Sequence, residues 1–422
     1  MKRLILLILT MCLANCVNAQ KEHNPQILST AHIQKHAAYF TVENGKINGK
    51  GRKMIKKMIN SSQFITYGET HNSKQVSLLI KSFMPLLKKA NFKYFAIEVG
   101  PSSAKKLTEL SIPAEKTVEN IRAFNTKYTV SQGSETAEPI PFFAGVSDAE
   151  FLQAARMNNM ELWGIDQEYY YSTFFLLDEL MTTVKGSPNY GKLTQLKKGA
   201  MQIMYKHFLD EFAKKNDGAY GLIVKEKAVN NFFNAFKKTN LAAQEIIENL
   251  KVSWDIYIRW RNDSHVDRIS YMRNNFMAHF KKALKSEKEP KVFTKIGSLH
   301  ASKLISNGAF DIGNLTEELG QKNGTVSTTI NTWVPFSKTK NGIQNNLEKY
   351  KRSYGRYAIF TKLAKENEWV IINLKSIRKA LLDGSIVLPS NGDYHKLKKL
   401  IFGYDYQIML PINESIVPNR DQ

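Results

Sequence analysis

The stretch FITYGETHNS at residues 64–73 decides the fold, and the rest of the chain is organised around it. An apolar run of strand type ends in a glycine, and Glu69 and His71 follow directly. The Asn-Ser pair after them can cap an amphipathic helix over residues 74–90. Open α/β sheets place ligands where a strand ends in polar residues at a helix N-terminus. The pattern therefore predicts a parallel strand with a site at its carboxyl end.

Strand and helix patterns alternate after this stretch. Residues 92–98 and 160–165 read as strands, and residues 148–158 read as the helix before the second of them. This spacing indicates right-handed crossovers and a parallel sheet. The sheet is expected to resume at residue 292, with further strands at 325–333, 356–361, 369–374 and 406–410.

The residues between the strand at 160–165 and the strand at 292 differ in composition and spacing from the predicted sheet. Between residues 168 and 289 the only proline is Pro188, and aromatic residues recur at helical spacing. We predict a helical insertion of several helices at 168–289, between a first part of an α/β core at 20–167 and a second part at 290–422.

Residues 1–19 have a basic start, an apolar run and small residues before Gln20, which is the pattern of a secretory signal peptide. A lipid anchor at Cys16 is the alternative. Both cysteines, Cys12 and Cys16, lie in this leader, so the rest of the chain has no thiolate for zinc, catalysis or disulfides. No later stretch reaches the roughly 18 apolar residues of a membrane span. We expect export to the periplasm or the extracellular space.

The chain is strongly basic, with 60 Lys and Arg residues against 38 Asp and Glu residues and a net charge of +22. Such an excess suggests an anionic partner or surface, but a solvated lysine-rich surface is the explanation that we favour. The lysines are scattered and no nucleic-acid motif accompanies them, so we expect no nucleic-acid partner.

Several predicted strands end in groups that can do chemistry: Glu69, Glu98 and Asp166 are acidic, and His300 follows the strand at residue 292. If these strands are parallel neighbours, the groups share one edge of the sheet. Such a cluster can work as acid and base or can bind a metal ion.

A predicted helix at 264–280 carries a stripe with steps of 3, 4, 3 and 4 residues: His265, Arg268, Met272, Asn275 and His279. The stripe suits the wall of a cleft, although a polar stripe is also typical of a solvent-exposed face. An arginine there could hold a carboxylate or stabilise an oxyanion.

An ordered set of motifs resembles one superfamily. The set is GETH at 68–71, Glu98, GID at 164–166, an R-x-x-x-M-x-x-N run at 268–275, and GSLH at 297–300. It resembles the superfamily of erythromycin esterases, ChaN-like haem-uptake proteins and Tiki/TraB proteins. The resemblance implies a parallel or mixed central sheet flanked by helices, with a large helical insertion over its C-terminal edge.

In the esterases of this superfamily, an imidazole supported by carboxylates activates water against a macrolide lactone. The matching positions here are Glu69, His71, Glu98, Arg268 and His300. One residue separates Glu69 from His71, whereas the esterases usually have two. This spacing is closer to the ChaN and Tiki patterns, and it argues against a macrolide as the substrate.

The leading hypothesis is a secreted or periplasmic hydrolase of an ester, lactone or amide bond in a small molecule or peptide, with no cofactor required. His71 would be the general base, Glu69 or Glu98 would orient it, and Arg268 and His300 would stabilise the oxyanion or the leaving group. The catalytic set also includes Asp166. No Gly-x-Ser-x-Gly elbow is present, which favours direct attack by water. The residues expected to bind substrate are His265, Met272 and Asn275.

Two alternatives use the same residues. The first is a haem- or metal-binding protein of iron uptake, with His71 or a tyrosine such as Tyr67 as ligand. The second is a Tiki-like, metal-dependent protease. The candidate ligands for a divalent metal are His71, Glu98 and His300.

Overall fold

The computed structural model describes residues 25–132, 135–260, 264–390 and 392–421. The predicted signal peptide and its Cys16 lie outside them. The centre is a sheet of nine strands. In chain order these are β1 (Ala37–Glu43), β2 (Lys46–Asn48), β3 (Phe64–Glu69), β4 (Tyr94–Ile97), β5 (Glu161–Gly164), β6 (Val292–Gly297), β7 (Ser327–Trp333), β8 (Trp369–Asn373) and β9 (Tyr406–Met409).

The sheet is mixed and mostly parallel, which confirms the expected fold class. Its spatial order is β2-β1-β8-β9-β7-β3-β6-β4-β5. The six strands from β9 to β5 run parallel, whereas β8, β1 and β2 are joined to that block by antiparallel pairing. The strand that ends in Glu69 is therefore central, with β7 on one side and β6 on the other.

Helices cover both faces of this sheet. They are α1 (Thr30–Gln34), α2 (Gly51–Ser61), α3 (Lys74–Lys89), α4 (Pro101–Leu110), α5 (Thr117–Tyr128), α6 (Val146–Met157), α7 (Thr173–Thr182), α8 (Tyr190–Phe212), α9 (Ala219–Ile223), α10 (Lys227–Asn234), α11 (Leu241–Ile258), α12 (His265–Ala283), α13 (Ile312–Asn323), α14 (Asn346–Lys349), α15 (Lys351–Tyr354), α16 (Ala358–Thr361), α17 (Leu374–Leu382) and α18 (Tyr394–Gly403). The capping predicted after the opening strand occurs at Ser73, whose Oγ accepts a hydrogen bond from the Val76 N–H.

The central strands are apolar on both sides because each side faces a separate core. Phe64 and Val292 pack in one core, and their neighbours Ile65 and Phe293 pack in the other. All six residues of β3 are buried. Strands covered on both faces read as continuous apolar runs, which is the signal that the sequence carries at this point.

Six helices, α7 to α12, lie between β5 and β6 in the chain, and the described residues between these two strands form no strand. The boundaries at 168 and 289 stay a prediction. One predicted strand is wrong: residues 356–361 form the end of a 3-10 turn followed by α16. No helix in the described part of the chain is long and apolar enough to cross a membrane.

Candidate active site

A cleft of about 360 Å³ lies at the carboxyl ends of four neighbouring parallel strands, β3, β6, β4 and β5. Parallel strands present their carboxyl ends at one edge of a sheet, so the residues that follow them meet there. The structure brings His71, Glu98, Asp166 and His300 together in the lining of this cleft. The two Gly-x-x-His motifs, far apart in the sequence, thus contribute to one site.

The crossing of the two motifs explains the glycine in the first one. A Cβ on Gly68 would lie 2.8 Å from the Ile330 carbonyl oxygen and 2.8 Å from the Ser298 Cα. Both of these are backbone atoms, which cannot turn away as a flexible side chain could. Glycine at 68 therefore lets the loop after β6 pass close to β3.

His71 forms a dyad with Glu69 at the wall of the cleft. Its Nδ1 lies 3.2 Å from Glu69 Oε1, and its side chain is 39% exposed, so Nε2 is the nitrogen that can meet a ligand. Phe142 stacks on the imidazole with ring centroids 4.3 Å apart. A Cβ at Gly297 would lie 3.1 Å from Nε2, so glycine at this position keeps that space open.

Glu69 is itself held by Lys295, whose Nζ lies 2.5 Å from Glu69 Oε1. Burial raises the pKa of the Glu69 carboxyl, but Lys295 and His71 more than offset this and hold the pKa below its ordinary value. The ionised carboxylate accepts the Nδ1–H of His71, which leaves Nε2 as a proton acceptor. Burial lowers the pKa of His71, but Glu69 and the charge of Glu98 outweigh it and raise the pKa above its ordinary value.

Glu98 joins the two motifs. Its Oε2 accepts a hydrogen bond of 2.6 Å from the Gly297 N–H, and its Oε1 accepts one of 3.1 Å from Arg268 Nη2. The Nε2 of His300 lies 3.6 Å from the same Oε1. The carboxylate is only 5% exposed, so these donors fix its position at the base of the cleft.

Arg268 connects α12 to the cleft. Its Nε and Nη2 donate to the two oxygens of Asp166 at 3.0 Å and 2.5 Å, and Nε also lies 3.0 Å from Gln167 Oε1. Its side chain is 13% exposed. Burial lowers the pKa of the guanidinium, but Asp166 and Glu98 outweigh it and the net pKa is raised. Arg268 therefore neutralises two buried carboxylates of the cleft.

His300 forms a second dyad. Its Nδ1 lies 2.6 Å from Oδ2 of Asp311, whose Oδ1 accepts the Ile312 N–H at the start of α13. Burial lowers the pKa of His300, but the hydrogen bond to Asp311 and the charge of Glu98 raise it above its ordinary value overall. Both imidazoles of the cleft are thus oriented through Nδ1 by a carboxylate.

Aromatic side chains form much of the remaining wall: Phe142, Tyr169, Tyr257 and Trp260. Phe142 has a backbone φ of 64°, a left-handed conformation that is unusual for an aromatic residue. Its loop is held by the C-terminal segment, since the Asn419 N–H donates to the Ala144 carbonyl oxygen. The cleft therefore combines a polar floor with apolar walls, as ligand sites generally do.

The helical stripe reaches the cleft only at its N-terminal end. Arg268 lines the cleft, and the His265 ring lies 6.2 Å from the His300 ring. Met272 is fully buried in the core, Asn275 donates to the Ile165 carbonyl oxygen, and neither lines the cleft. Their contact with substrate stays a prediction, and it would have to occur outside this cleft.

The two remaining residues of the hypothesis lie outside the cleft. His279 stacks on Trp163 with ring centroids 5.3 Å apart. Tyr67, offered as a haem ligand, is fully buried and packs edge-on against Phe83. It does not line the cleft, because the alternation of β3 turns its ring into the core.

The sequence analysis missed Lys295 and Asp311, which hold Glu69 and His300, and it missed the aromatic walls of the cleft, Phe142 among them. Lys295 left a signal, because it is a lone cation within the apolar run VFTKIG and is only 5% exposed. A buried lysine needs an anionic partner, which points to Glu69. Asp311 and Phe142 left no signal of a cleft, because helix caps and loop aromatics are common.

Ligating atoms of Glu69, His71 and Glu98 lie within 4.8 Å of one another, a spacing that a metal ion could use. The predicted set was His71, Glu98 and His300, so Glu69 takes the place of His300. Two nearby positive charges disfavour a divalent ion at this position, because Lys295 Nζ is hydrogen-bonded to Glu69 and Arg268 is hydrogen-bonded to Glu98. A cation between these carboxylates would meet both positive charges at short range.

The fold and the cleft define an α/β protein with histidine–carboxylate dyads at the carboxyl edge of its sheet. Among solved structures, the chain is similar to a Bacillus cereus protein, with a TM-score of 0.51, 15% identity, and coverage of 92% of this chain and 97% of that one. It is also similar to a mutant of erythromycin esterase EreC in its open conformation, with a TM-score of 0.51, 11% identity, and coverage of 90% and 98%.

The second of these similarities shows that the fold is similar to that of an erythromycin esterase, and at such low identity both similarities concern the fold alone. The haem-bound ChaN of Campylobacter jejuni matches with a TM-score of only 0.28 at 11% identity over 70% of this chain and 91% of that one, which carries no argument. No protein-family model matches the sequence, and no curated protein matches it.

Proposed function

We propose that this protein is a hydrolase that cleaves an ester, lactone or amide bond by activating water with His71. The observation that carries the proposal is the His71–Glu69 dyad at the wall of the cleft, with a second dyad, His300–Asp311, across Glu98. Two imidazoles, each oriented through Nδ1 by a carboxylate, suit general acid–base catalysis.

In this mechanism, Nε2 of His71 accepts a proton from water as the water oxygen attacks the carbonyl carbon of the substrate. Glu69 orients the imidazole and stabilises the imidazolium that forms. His300, whose raised pKa favours its protonated form, donates a proton to the leaving oxygen or nitrogen as the tetrahedral intermediate collapses. The hydroxyl group on the acid comes from water and the proton on the leaving group comes from His300; His71 then releases the proton it accepted and His300 takes one up, so each cycle consumes one water molecule.

Arg268 has a supporting part in this proposal. Its guanidinium is held by Asp166 and Glu98, so it acts by fixing Glu98 and by adding positive charge near the carbonyl oxygen. A positive charge in a site with little water favours a developing oxyanion. The aromatic walls favour a substrate with an apolar part beside the scissile bond.

The proposal places this activity outside the cytoplasm because residues 1–19 have the pattern of a signal peptide. The comparison that supports hydrolysis is the fold shared with an erythromycin esterase, although the spacing of Glu69 and His71 argues against a macrolide as substrate.

Turnover of a broad panel of esters, lactones and amides tests the proposal. We expect His71→Ala and His300→Ala each to lower kcat about a hundredfold to ten-thousandfold without unfolding the protein. His207→Ala is the matched control, because His207 also pairs with a carboxylate, Glu226 at 2.8 Å, but lies on α8. Unchanged turnover in both cleft variants would remove this mechanism.

The alternatives give different results in the same experiment. A haem-binding protein would show no turnover on the panel and would gain a Soret band with haem that His71→Ala weakens. A metal-dependent protease would lose its turnover when a chelator is added, whereas we expect turnover here to be unaffected by chelator.

A further inference from the structure

We propose that the ammonium group of Lys295 takes the place of a metal ion in the cluster of Glu69, His71 and Glu98. These three side chains have the residue types and the spacing of a divalent-metal site. The position that an ion needs is already served by a positive charge belonging to the protein. Replacing that charge should convert the cluster into a metal site.

The first observation is the short, buried contact between Lys295 and Glu69. Nζ of Lys295 lies 2.5 Å from Glu69 Oε1, the same oxygen that receives the His71 Nδ1–H. The lysine side chain is 5% exposed and the glutamate side chain is 4% exposed. A fixed ammonium group at this distance compensates the carboxylate as a bound cation would, and burial keeps water from screening it.

The second observation is the position of Lys295 in the sheet. It lies on β6, and its neighbours in the chain are buried residues of the sheet. The strand fixes the backbone of Lys295, and burial of its side chain, which is 5% exposed, restricts movement of the ammonium group away from Glu69. Phe142 and Phe151 flank the ammonium group at 5.6 Å and 5.3 Å from their ring centroids and close off its surroundings.

The same arrangement explains how His71 is oriented without a metal ion. In a metal site, the imidazole nitrogen would donate its lone pair to the ion. Here Nδ1 is occupied by Glu69, and Nε2 remains available to accept a proton from water. The inference concerns the cluster used by the proposed hydrolase, but its test reads metal binding and not turnover, so either can fail without the other.

The test titrates Zn²⁺, and Co²⁺ as a coloured probe, into the full-length protein by calorimetry and visible absorption. The variants are Lys295→Gln, which keeps a neutral donor for Glu69, and Lys295→Met, which keeps most of the volume. We expect the wild-type cluster to bind neither ion, and the variants to bind one ion per chain at least about a hundredfold more tightly.

The control is a second change, His71→Ala, in the Lys295→Gln background, which should abolish the new binding. Because Lys295→Met leaves buried Glu69 without its compensating cation, that variant is also refolded with Zn²⁺ present, and we expect the ion to raise its Tm. The inference is overturned if the wild type binds Zn²⁺ through His71 as tightly as the variants do. It is equally overturned if folded Lys295→Gln gains no affinity for either ion.

Discussion

Arg268→Met removes the cation that compensates two buried carboxylates. In the structure, its guanidinium makes hydrogen bonds to Asp166, Glu98 and Gln167, and both carboxylates are about as buried as the core, with 6% and 5% exposure. Removing one partner of a buried ion pair typically costs about 3–5 kcal/mol, because the other partner is left as an uncompensated charge. Methionine keeps the packing of the aliphatic stem, so the measured loss is mainly electrostatic.

The assay is urea unfolding at pH 7.5, followed by circular dichroism, with the change in unfolding free energy obtained from the midpoint and slope. Arg259→Met is the matched control. Arg259 also pairs with two carboxylates, Asp255 and Asp267, but its side chain is 38% exposed, so solvent screens these pairs and the midpoint should hardly move. A loss below about 1 kcal/mol for Arg268→Met would refute the view that its charge holds the floor of the cleft together.

Three further outcomes are expected. Gly68→Ala should destabilise the fold by about 1–3 kcal/mol, because its Cβ would collide with backbone atoms. Gly199→Ala should stabilise the fold by about 0.5–1 kcal/mol, because Gly199 lies inside α8 with open space around it, and thermal unfolding of both variants checks this. The raised pKa of His300 means that its contribution to stability is complete below pH 6.5 and is lost as the pH rises through the folded pKa, so His300→Gln should flatten the loss of stability across that range in a series of melts. Burial raises the pKa of Glu168 to about 7, so the stability of the protein falls as the pH rises from about 4.5 to 7. Glu168→Gln should flatten that part of the curve in the same melts, and an unchanged pH dependence would contradict this expectation.

The sequence was most informative where local pattern and global fold agree. Both Gly-x-x-His motifs follow strands buried on two faces, and their apolar runs predicted the central sheet and the edge that carries the site. The glycines belong to the same pattern, since a Cβ at position 68 would collide with the backbone of Ser298 and a Cβ at position 297 would make a tight contact with His71. Strand position therefore predicted which side chains meet.

The prediction failed where one sequence pattern is compatible with both a helix and a strand. Residues 356–361 contain a short, mostly apolar run like that of a buried strand, yet they form a short helical segment that buries Phe360. Short apolar runs do not distinguish helix from strand by periodicity alone. Long-range packing decides such segments, and a single sequence does not contain it.

The stripe on α12 shows a limit of face-based reasoning. Residues at helical spacing share a face, but His265 and His279 are separated along the axis by about 21 Å at 1.5 Å per residue. A cleft of this size meets only one end of such a stripe, which is why Arg268 enters it and Met272 does not. Which residues of a helix face reach a site therefore depends on where the helix crosses the sheet.

Chemical rescue of His71→Ala by free imidazole tests the proposed role of His71 most directly. With a substrate that the wild type hydrolyses, we expect the variant to lose about a hundredfold to ten-thousandfold in kcat, and added imidazole to restore part of the rate in a saturable way that depends on its unprotonated form. A variant that keeps the wild-type rate would contradict the assignment of His71 as the general base. So would a folded, inactive variant that imidazole leaves inactive at every pH while it still binds the substrate.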